Sequence, residues 1–204
     1  YFDNKWRTIL ISGLGAGGHG YFALDVTNIK SPKHLFAFQN DPFKSTIKFW
    51  SEDETETTYD YSGGANVADA YDYRKLGESW SAPRIIRIKH NNNDKWVAVV
   101  GGGYNSGVNP NYGSAVFVID LEDGGKVLKR IDITDSASSN IVNSVPADLA
   151  VITADGTEKA NYNGGLVYVA DLEGKITKIN LTDQGTMYQQ TTLFNSESNT
   201  SNGR

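Results

Sequence analysis

Cysteine is absent from the 204-residue chain, and methionine occurs only once. The absence of cysteine excludes disulfides, zinc sites built on thiolates and cysteine nucleophiles, although it does not fix the compartment in which the protein works. The three histidines are too few and too irregularly spaced for a typical zinc site. No apolar run reaches the roughly 18 residues that a membrane-spanning helix needs. We therefore expect no insertion into a membrane.

An excess of positive charge is also missing, since the formal net charge at pH 7 is −5. A chain with this charge is not expected to bind nucleic acid or an acidic membrane surface. No signal-peptide pattern is found, and the chain opens at Tyr1 and ends in the polar stretch NSESNTSNGR. We expect the chain to be a piece of a longer protein.

Glycine and tyrosine are abundant, with 21 and 11 residues. The apolar residues come in short runs rich in Val, Ile, Thr and aromatic side chains, bounded by Gly, Asn, Asp and Pro. This pattern is typical of strands joined by turns. The predicted strands span residues 8–11, 21–26, 35–39, 84–89, 96–100, 115–120, 127–133, 147–153, 166–170, 176–180 and 191–194.

The order of these runs repeats along the chain. In each unit an apolar strand precedes a loop, a second strand follows, and a third comes after a short turn. Two of the units have a further strand in front, with Pro near its start. The predicted fold is therefore all-β and β-propeller-like, with repeated four-stranded antiparallel blades. Because a closed ring needs at least four blades, we expect a fragment of a propeller. A β-sandwich is the competing architecture.

We expect a single partial propeller domain over residues 1–204. Its predicted parts are a partial blade at 1–40, an insert at 41–78, a second blade at 79–135, a third blade at 143–195 and a polar tail at 196–204. The insert is rich in acidic residues and tyrosine and has weak periodicity. It is interpreted as a surface excursion that either binds a partner or is a solvated loop.

Gly13, Gly15 and Gly18 follow an apolar run with the G-x-G-x-x-G spacing of a dinucleotide-binding loop. Such a loop needs a helix directly after the glycines, because the pyrophosphate lies at the N-terminus of that helix. The residues that follow here, HGYFALDVTN, have the pattern of a strand. The similar stretch GGGYNSG, at 101–107, occupies the same place in the next unit. We therefore predict a glycine-rich hairpin rather than a phosphate site.

No residue is assigned to a metal site, although two segments contain oxygen ligands of the kind that calcium prefers. These are HNNNDKW at 90–96 and ADGTE at 154–158. The first lacks the alternating acidic spacing of a calcium loop, and both are ordinary turn signals.

No residue is assigned a catalytic or cofactor-binding role either. The chain has no G-x-S-x-G nucleophile elbow, and no serine is tied to a His and an Asp. The neighbouring carboxylates Glu52, Asp53 and Glu54 are interpreted as a solvated charge run. The tryptophans Trp6, Trp80 and Trp96 lie at strand ends, and we expect them to pack between blades.

Several motifs occur in a fixed order: WRTILISGLGAGGHGYFALDVTN, LGESWSAPRIIRI, KWVAVVGGGYNSG, AVFVIDLEDGGKVLKRI and GGLVYVADLEGKITKINLTD. This ordered set resembles the C-terminal propeller domain of the PilC/PilY family of type IV pilus tip-associated adhesin and assembly proteins. The resemblance covers residues 5–183, apart from the insert.

The resemblance implies a non-enzymatic module that supports pilus assembly, opposes pilus retraction and contributes to attachment to host surfaces. It implies pilin or minor pilins as partners, with the host-cell surface as a further one. It also implies a Gram-negative protein that is exported through the periplasm to the cell surface, at the pilus tip or associated with the outer membrane.

Calcium is the cofactor that the resemblance implies, because many family members carry a D-x-D-x-D-G loop in this domain. The comparable stretch here, at 154–163, reads ADGTEKANYN. It keeps Asp155, with Asp148 upstream, but not the dense acidic pattern. The loop is therefore degenerate, and no cofactor is assigned. No Arg-Gly-Asp sequence is present, so integrin binding through that motif is not supported.

Two other functions stay open. Quinoprotein dehydrogenases of the PQQ type share a similar blade rhythm, although the tryptophans here do not recur at one place in each unit as their docking positions do. A generic secreted scaffold propeller could instead bind a partner through an exposed edge strand.

Overall fold

The computed structural model describes residues 5–105, 112–133, 143–153 and 164–196. The first sheet contains β1 (Ile9–Gly13), β2 (Gly20–Asp25), β3 (Lys33–Asp41), β4 (Thr46–Trp50) and β5 (Glu56–Asp60). The second contains β6 (Arg84–His90), β7 (Asn93–Gly102), β8 (Gly113–Asp120) and β9 (Lys126–Asp132). The third contains β10 (Ala150–Thr153), β11 (Gly165–Ala170), β12 (Lys175–Asn180) and β13 (Gln190–Asn195).

All three sheets are antiparallel, and their strands are adjacent in chain order. Single 3₁₀ turns at Ser62–Gly64 and Asp69–Tyr71 lie between the first sheet and the second. None of the helices in the described ranges could cross a membrane, because all are too short and too polar. Each predicted strand is present, with its bounds shifted by a few residues, and the all-β, propeller-like fold class is confirmed.

The middle sheet is covered on both faces, because side chains on a strand alternate between the two sides. In β8, which is buried along its whole length, Phe117 and Ile119 belong to the core shared with the first sheet. Val116 and Val118, which alternate with them along the strand, belong to the core shared with the third sheet. Continuous apolar runs of this kind are typical of a strand that is buried on both faces.

The core between the first two sheets is rich in aromatic side chains. Phe38 of β3 stacks on Tyr73 with ring centroids 3.7 Å apart and planes 9° from parallel. Tyr73 follows the second 3₁₀ turn, and its hydroxyl donates a 2.6 Å hydrogen bond to the carbonyl oxygen of Gly125. The segment between the sheets therefore closes this core instead of passing over its surface.

Residues 41–78 differ from the predicted surface insert, because much of this segment is part of the fold. β4 and β5 extend the first sheet beyond β3, and Ile47 and Phe49 of β4 are buried. Tyr73 and Leu76 are also buried, with no exposed surface. The five residues of β4 alternate strictly, but the acidic and polar residues around them obscure this short pattern in the sequence.

The first sheet therefore has five strands, where a partial blade was expected. β1 to β3 correspond to the second to fourth strands of the other sheets, and the β4–β5 hairpin is additional. Within the described ranges each apolar core joins two successive sheets, and neither joins the first sheet to the third. The three sheets form an open series of blades, as a propeller fragment does.

Candidate functional site

The glycine-rich loops form a seam where one sheet meets the segment leading into the next. A Cβ atom on Gly13 would lie 2.2 Å from the carbonyl oxygen of Ser79, and one on Gly101 would lie 2.4 Å from that of Val145. The backbone N–H two residues after each glycine, of Gly15 and Gly103, donates to the same carbonyl oxygens. Glycine is required at 13 and 101 because a neighbouring backbone occupies the space of a side chain.

Ser79 fixes the first of these contacts. Its hydroxyl oxygen accepts the backbone N–H of Leu14 at 2.9 Å and donates to the carbonyl oxygen of Gly20 at 2.6 Å. The predicted hairpin is confirmed, since β1 pairs antiparallel with β2 across the glycines. The G-x-G-x-x-G spacing therefore has a structural explanation in packing between blades.

A cavity of about 460 Å³ lies between the first two sheets. It is at the end of the sheets that carries the β8–β9 turn, opposite the glycine-rich seam. We call it the aromatic cleft. It is lined by Trp6, Arg7, Ile9, Leu35, Phe36, Phe49, Ser51, Glu52, Tyr71, Ile85, Trp96, Leu121, Glu122, Asp123, Gly124 and Lys126. Its size is within the range of small-molecule sites, so it is the candidate functional site.

Contacts between aromatic rings hold part of the wall of the aromatic cleft in place. Phe49 of β4 meets the ring of Tyr71 edge to face, with centroids 5.0 Å apart. Tyr71 also stacks on Tyr59 of β5 at 4.7 Å. Trp96 packs against the first core from β7, whereas Trp6 is 71% exposed at the mouth of the cleft. A largely exposed indole beside a preformed apolar cavity is a surface that a ligand could cover.

Charged side chains surround the mouth of the aromatic cleft. Lys126 is 2.8 Å from the carboxylate of Asp123, and Arg7 is 3.6 Å from that of Asp25. Glu122 is partly buried, and the desolvation that results raises its pKa against the opposing influence of Lys95. Burial raises the free energy of an ionised carboxylate, so Glu122 gains from any cation that enters the cleft.

The neighbouring carboxylates 52–54 do not act as one group. Glu52 lines the aromatic cleft, whereas Asp53 accepts hydrogen bonds from Ser51 and Thr55 within the turn. Hydrogen bonds from Ser51 and then Thr55 lower the pKa of Asp53. Asp53 is thus part of the turn's own hydrogen bonding, and of these three residues only Glu52 lines the cleft.

The expected packing of the tryptophans between blades is correct for Trp96 only. Trp80 is 54% exposed, its ring lies 3.6 Å from the position of a Cβ on Gly15, and its indole N–H donates to Glu78. Trp6 is exposed at the aromatic cleft. Two of these three tryptophans, Trp6 and Trp80, are therefore exposed at the surface instead of packed between blades.

The segment at 90–96 forms a tight hairpin turn in which Asn91 and Asn92 have φ of 49° and 63°. The His90 ring nitrogen Nδ1 lies 2.8 Å from the hydroxyl of Tyr188, in the connection between β12 and β13, so this imidazole links β6 to the third blade. In the part of the chain that the structure describes, no group of three or more His, Cys, Asp or Glu side chains could hold a metal ion.

The stretch compared with the calcium loop, at 154–163, and Asp155 within it lie outside the described residues. Asp148, just upstream, accepts the backbone N–H of Ala82 at 2.7 Å and lies 3.6 Å from Arg84. Its carboxylate is thus used to join the segment before β10 to the second sheet.

An aspartate recurs at or directly after the end of one strand in every sheet, and sequence patterns alone did not reveal it. These residues, at the ends of β2, β8 and β11, are Asp25, Asp120 and Asp171. Each carboxylate accepts the backbone N–H two residues on, at 2.9, 2.9 and 3.1 Å. Each also faces a basic side chain: Arg7 at 3.6 Å, Lys95 at 2.8 Å and Lys175 at 3.8 Å. The Asp-Leu-Glu sequence that recurs in the second and third units is the signal that could have identified them.

A family model, curated relatives and a solved structure all relate the chain to one family. Residues 1–193 match the family described as the PilY1 beta-propeller domain. The chain is 31% identical to the type IV pilus biogenesis factor PilY1 of Pseudomonas aeruginosa (strain UCBPP-PA14), over 89% of its own length and 12% of the relative. It is 29% identical to a PilY1 homolog of Xylella fastidiosa (strain Temecula1 / ATCC 700964), over 89% of its own length and 10% of the relative.

Among solved structures, the chain resembles the crystal structure of the Pseudomonas aeruginosa PilY1 C-terminal domain. The TM-score is 0.58 with 26% identity, over 89% of the chain and 28% of that structure. The chain therefore spans 10 to 12% of the length of these relatives and about a quarter of the solved domain.

Proposed function

The chain belongs to the PilY1 β-propeller domain family, and on that premise we propose that it is a non-enzymatic module that supports type IV pilus assembly and opposes pilus retraction. The observation that carries this proposal is the family match over residues 1–193, which extends from the first sheet into the last strand of the third. The relatives named above are type IV pilus biogenesis factors, and their names support the proposed role of this chain in the pilus.

We propose pilin or minor pilins as its partners, at the pilus tip or in association with the outer membrane after export through the periplasm. Attachment to host surfaces is a further proposed role. Open edges of the described sheets support a role in binding other chains, because an unpaired strand edge can accept another strand.

An in-frame deletion of the coding region for residues 5–195 tests the role in the pilus. We expect loss of surface pili and of twitching motility. A second deletion strain that also lacks the motor for pilus retraction separates the two parts of the proposal. Pili that reappear in that strain support opposition to retraction, whereas continued absence supports a role in assembly.

Gly63→Ala is the matched control in the same gene, because Gly63 has open space around it and the fold should persist. Normal piliation and motility in the deletion strain would contradict the proposed function. Partner choice is tested separately, by measuring whether immobilised chain retains purified pilin subunits and whether heat-unfolded chain does not.

A further inference from the structure

The aromatic cleft combines apolar walls with charged residues, so it suits a ligand that has both an apolar part and a charged part. Phe36 and Phe49 line it with apolar surface, together with Trp6 of the segment before β1 and Trp96 of β7. Ile85 is 41% exposed beside them. A cavity of about 460 Å³ with such walls is larger than one side chain needs and smaller than a folded element, so it suits one long side chain and its neighbours.

The mouth of the aromatic cleft has more negative than positive charge, because both basic residues of its lining form salt bridges with aspartates. Arg7 pairs with Asp25, which lies outside the lining, and Lys126 pairs with Asp123. Neither Glu52 nor Glu122 forms a salt bridge with any of the residues that the structure describes. Among the described residues, two side chains that carry a carboxylate thus line one apolar cavity without a salt bridge, and Lys95, which is bonded to Asp120, acts on Glu122 through its charge alone.

We propose that the aromatic cleft binds a basic side chain, lysine or arginine, presented by a partner polypeptide. The aliphatic stem lies against Trp6, Trp96 and Phe49, and the cationic head lies between Glu52 and Glu122. Aromatic faces attract cations through the ring quadrupole, and long basic side chains bury their stems while their charge stays paired. This inference does not depend on a role in pilus biogenesis.

Short capped peptides test the proposal on the full chain. The probe is acetyl-Gly-Lys-Gly-amide, and the uncharged control is the same peptide with norleucine in place of lysine. NMR titration of the tryptophan indole N–H signals reports binding, with an expected Kd on the order of 1 mM for a ligand this small. The signals of Trp6 and Trp96 should shift with lysine peptide, and that of Trp80, which is outside the cleft, should not.

Charge and aromatic variants identify the contacts. Glu122→Gln should weaken binding of the lysine peptide roughly fivefold, and Glu52→Gln somewhat less, because each removes one partner of the cation. Glu54→Gln removes the same charge from the same turn as Glu52 but outside the cleft, and should leave binding unchanged. Trp6→Leu should also weaken binding, whereas Trp80→Leu is the matched change at another exposed indole.

Thermal unfolding of each variant shows that the fold persists, which we expect because Trp6, Glu52 and Glu122 are not in the buried core. Three results would overturn the inference: no saturable binding of the lysine peptide, equal binding of the norleucine peptide, or equal loss in Glu54→Gln and Glu122→Gln.

Discussion

At the scale of the residue, the glycines of the two seams are explained by contacts with backbone rather than by flexibility. Gly13 and Gly101 have no positive φ, so conformation alone would allow any residue there. Each instead lies against a carbonyl oxygen of the segment that leads into the next sheet. A side chain at either position would separate two blades.

Gly13→Ala and Gly101→Ala should each destabilise the chain by about 3 kcal/mol, because a backbone atom in the way cannot move aside as a side chain can. Gly63→Ala is the control. Its φ of 64° costs about 1 kcal/mol for a residue with a Cβ, but no atom lies within 4 Å. Urea unfolding of the three variants measures the difference, and equal losses would contradict the packing explanation.

A chain of ion pairs joins the segment after the second 3₁₀ turn to β9. Asp72 is paired with Arg74 at 2.8 Å and with Arg130, and Arg130 is paired in turn with Asp132 at 2.9 Å. Lys75 meets Asp132 at 3.0 Å. Burial acts to raise the pKa of Asp72, but the hydrogen bond from Arg74 and the charge of Arg130 outweigh it, and the pKa is lowered.

Asp72→Asn should reduce stability at pH 7 by about 2 kcal/mol, since it leaves two guanidinium groups without their shared partner. A folded-state pKa below the unfolded value of about 3.9 means that this contribution is complete above that value and is lost as the pH falls through the folded pKa. The difference in the free energy of unfolding between wild type and variant should therefore shrink as pH falls from about 5 towards 2.

Urea unfolding at a series of pH values measures this gap. The control is Asp69→Asn, which removes the same charge from an exposed position that forms no salt bridge with the described residues. A gap for Asp72→Asn that is constant with pH would show that the carboxylate does not contribute through its charge.

At the scale of the element, the β4–β5 hairpin is the feature that sequence patterns did not reveal. β4 places Ile47 and Phe49 in the first core and leaves Lys48 on the other face, where it forms a 2.8 Å salt bridge with Glu56 of β5. An alternating run of only five residues carries a weak signal, and β5 is almost wholly exposed. Its strand character depends on pairing with β4 rather than on burial.

Ile47→Ala tests whether this hairpin belongs to the core. Ile47 has no exposed surface, so we expect a loss of about 3 kcal/mol from the removed methyl groups and the cavity that they leave. Thr57→Ala, on exposed β5, should change stability by no more than about 0.5 kcal/mol. Similar small losses for both variants, measured by thermal unfolding, would mean that residues 41–60 form a surface loop after all.

At the scale of the whole molecule, the series of three sheets predicts unequal protection of backbone amides. β7 and β8 lie in the sheet that is covered on both faces, and β8 is buried throughout. β5 and β13 lie at the edges of outer sheets and are largely or wholly exposed.

Hydrogen exchange followed by mass spectrometry should therefore show the slowest exchange in β7 and β8 and the fastest in β5 and β13, because local opening is easiest where few apolar contacts are lost. Peptides from β3 and β11, each in an outer sheet but away from its edges, serve as the intermediate reference. Exchange in β8 as fast as in β5 would contradict the two-sided burial of the middle sheet.

Much of the fold could be predicted because its signals are local. Alternating or continuous apolar runs gave the strands from β1 to β3 and from β6 to β13, and the repeat of these runs gave the blades. The aromatic cleft could not be predicted, because Trp6, Phe49, Tyr71 and Trp96 come from four separate places in the chain. No spacing rule relates residues that meet only when one sheet packs on another.

The sequence by itself determined the strands, their antiparallel hairpins and the resemblance to a pilus propeller family, because strand patterns and turn residues act within a few positions along the chain. Only the tertiary structure decided that Gly13 and Gly101 are needed for contact between blades, that residues 46–60 extend the first sheet, and that Glu52 and Glu122 share one apolar cavity. These features depend on contacts between residues that are distant in sequence, and such contacts exist only after the sheets have packed face to face.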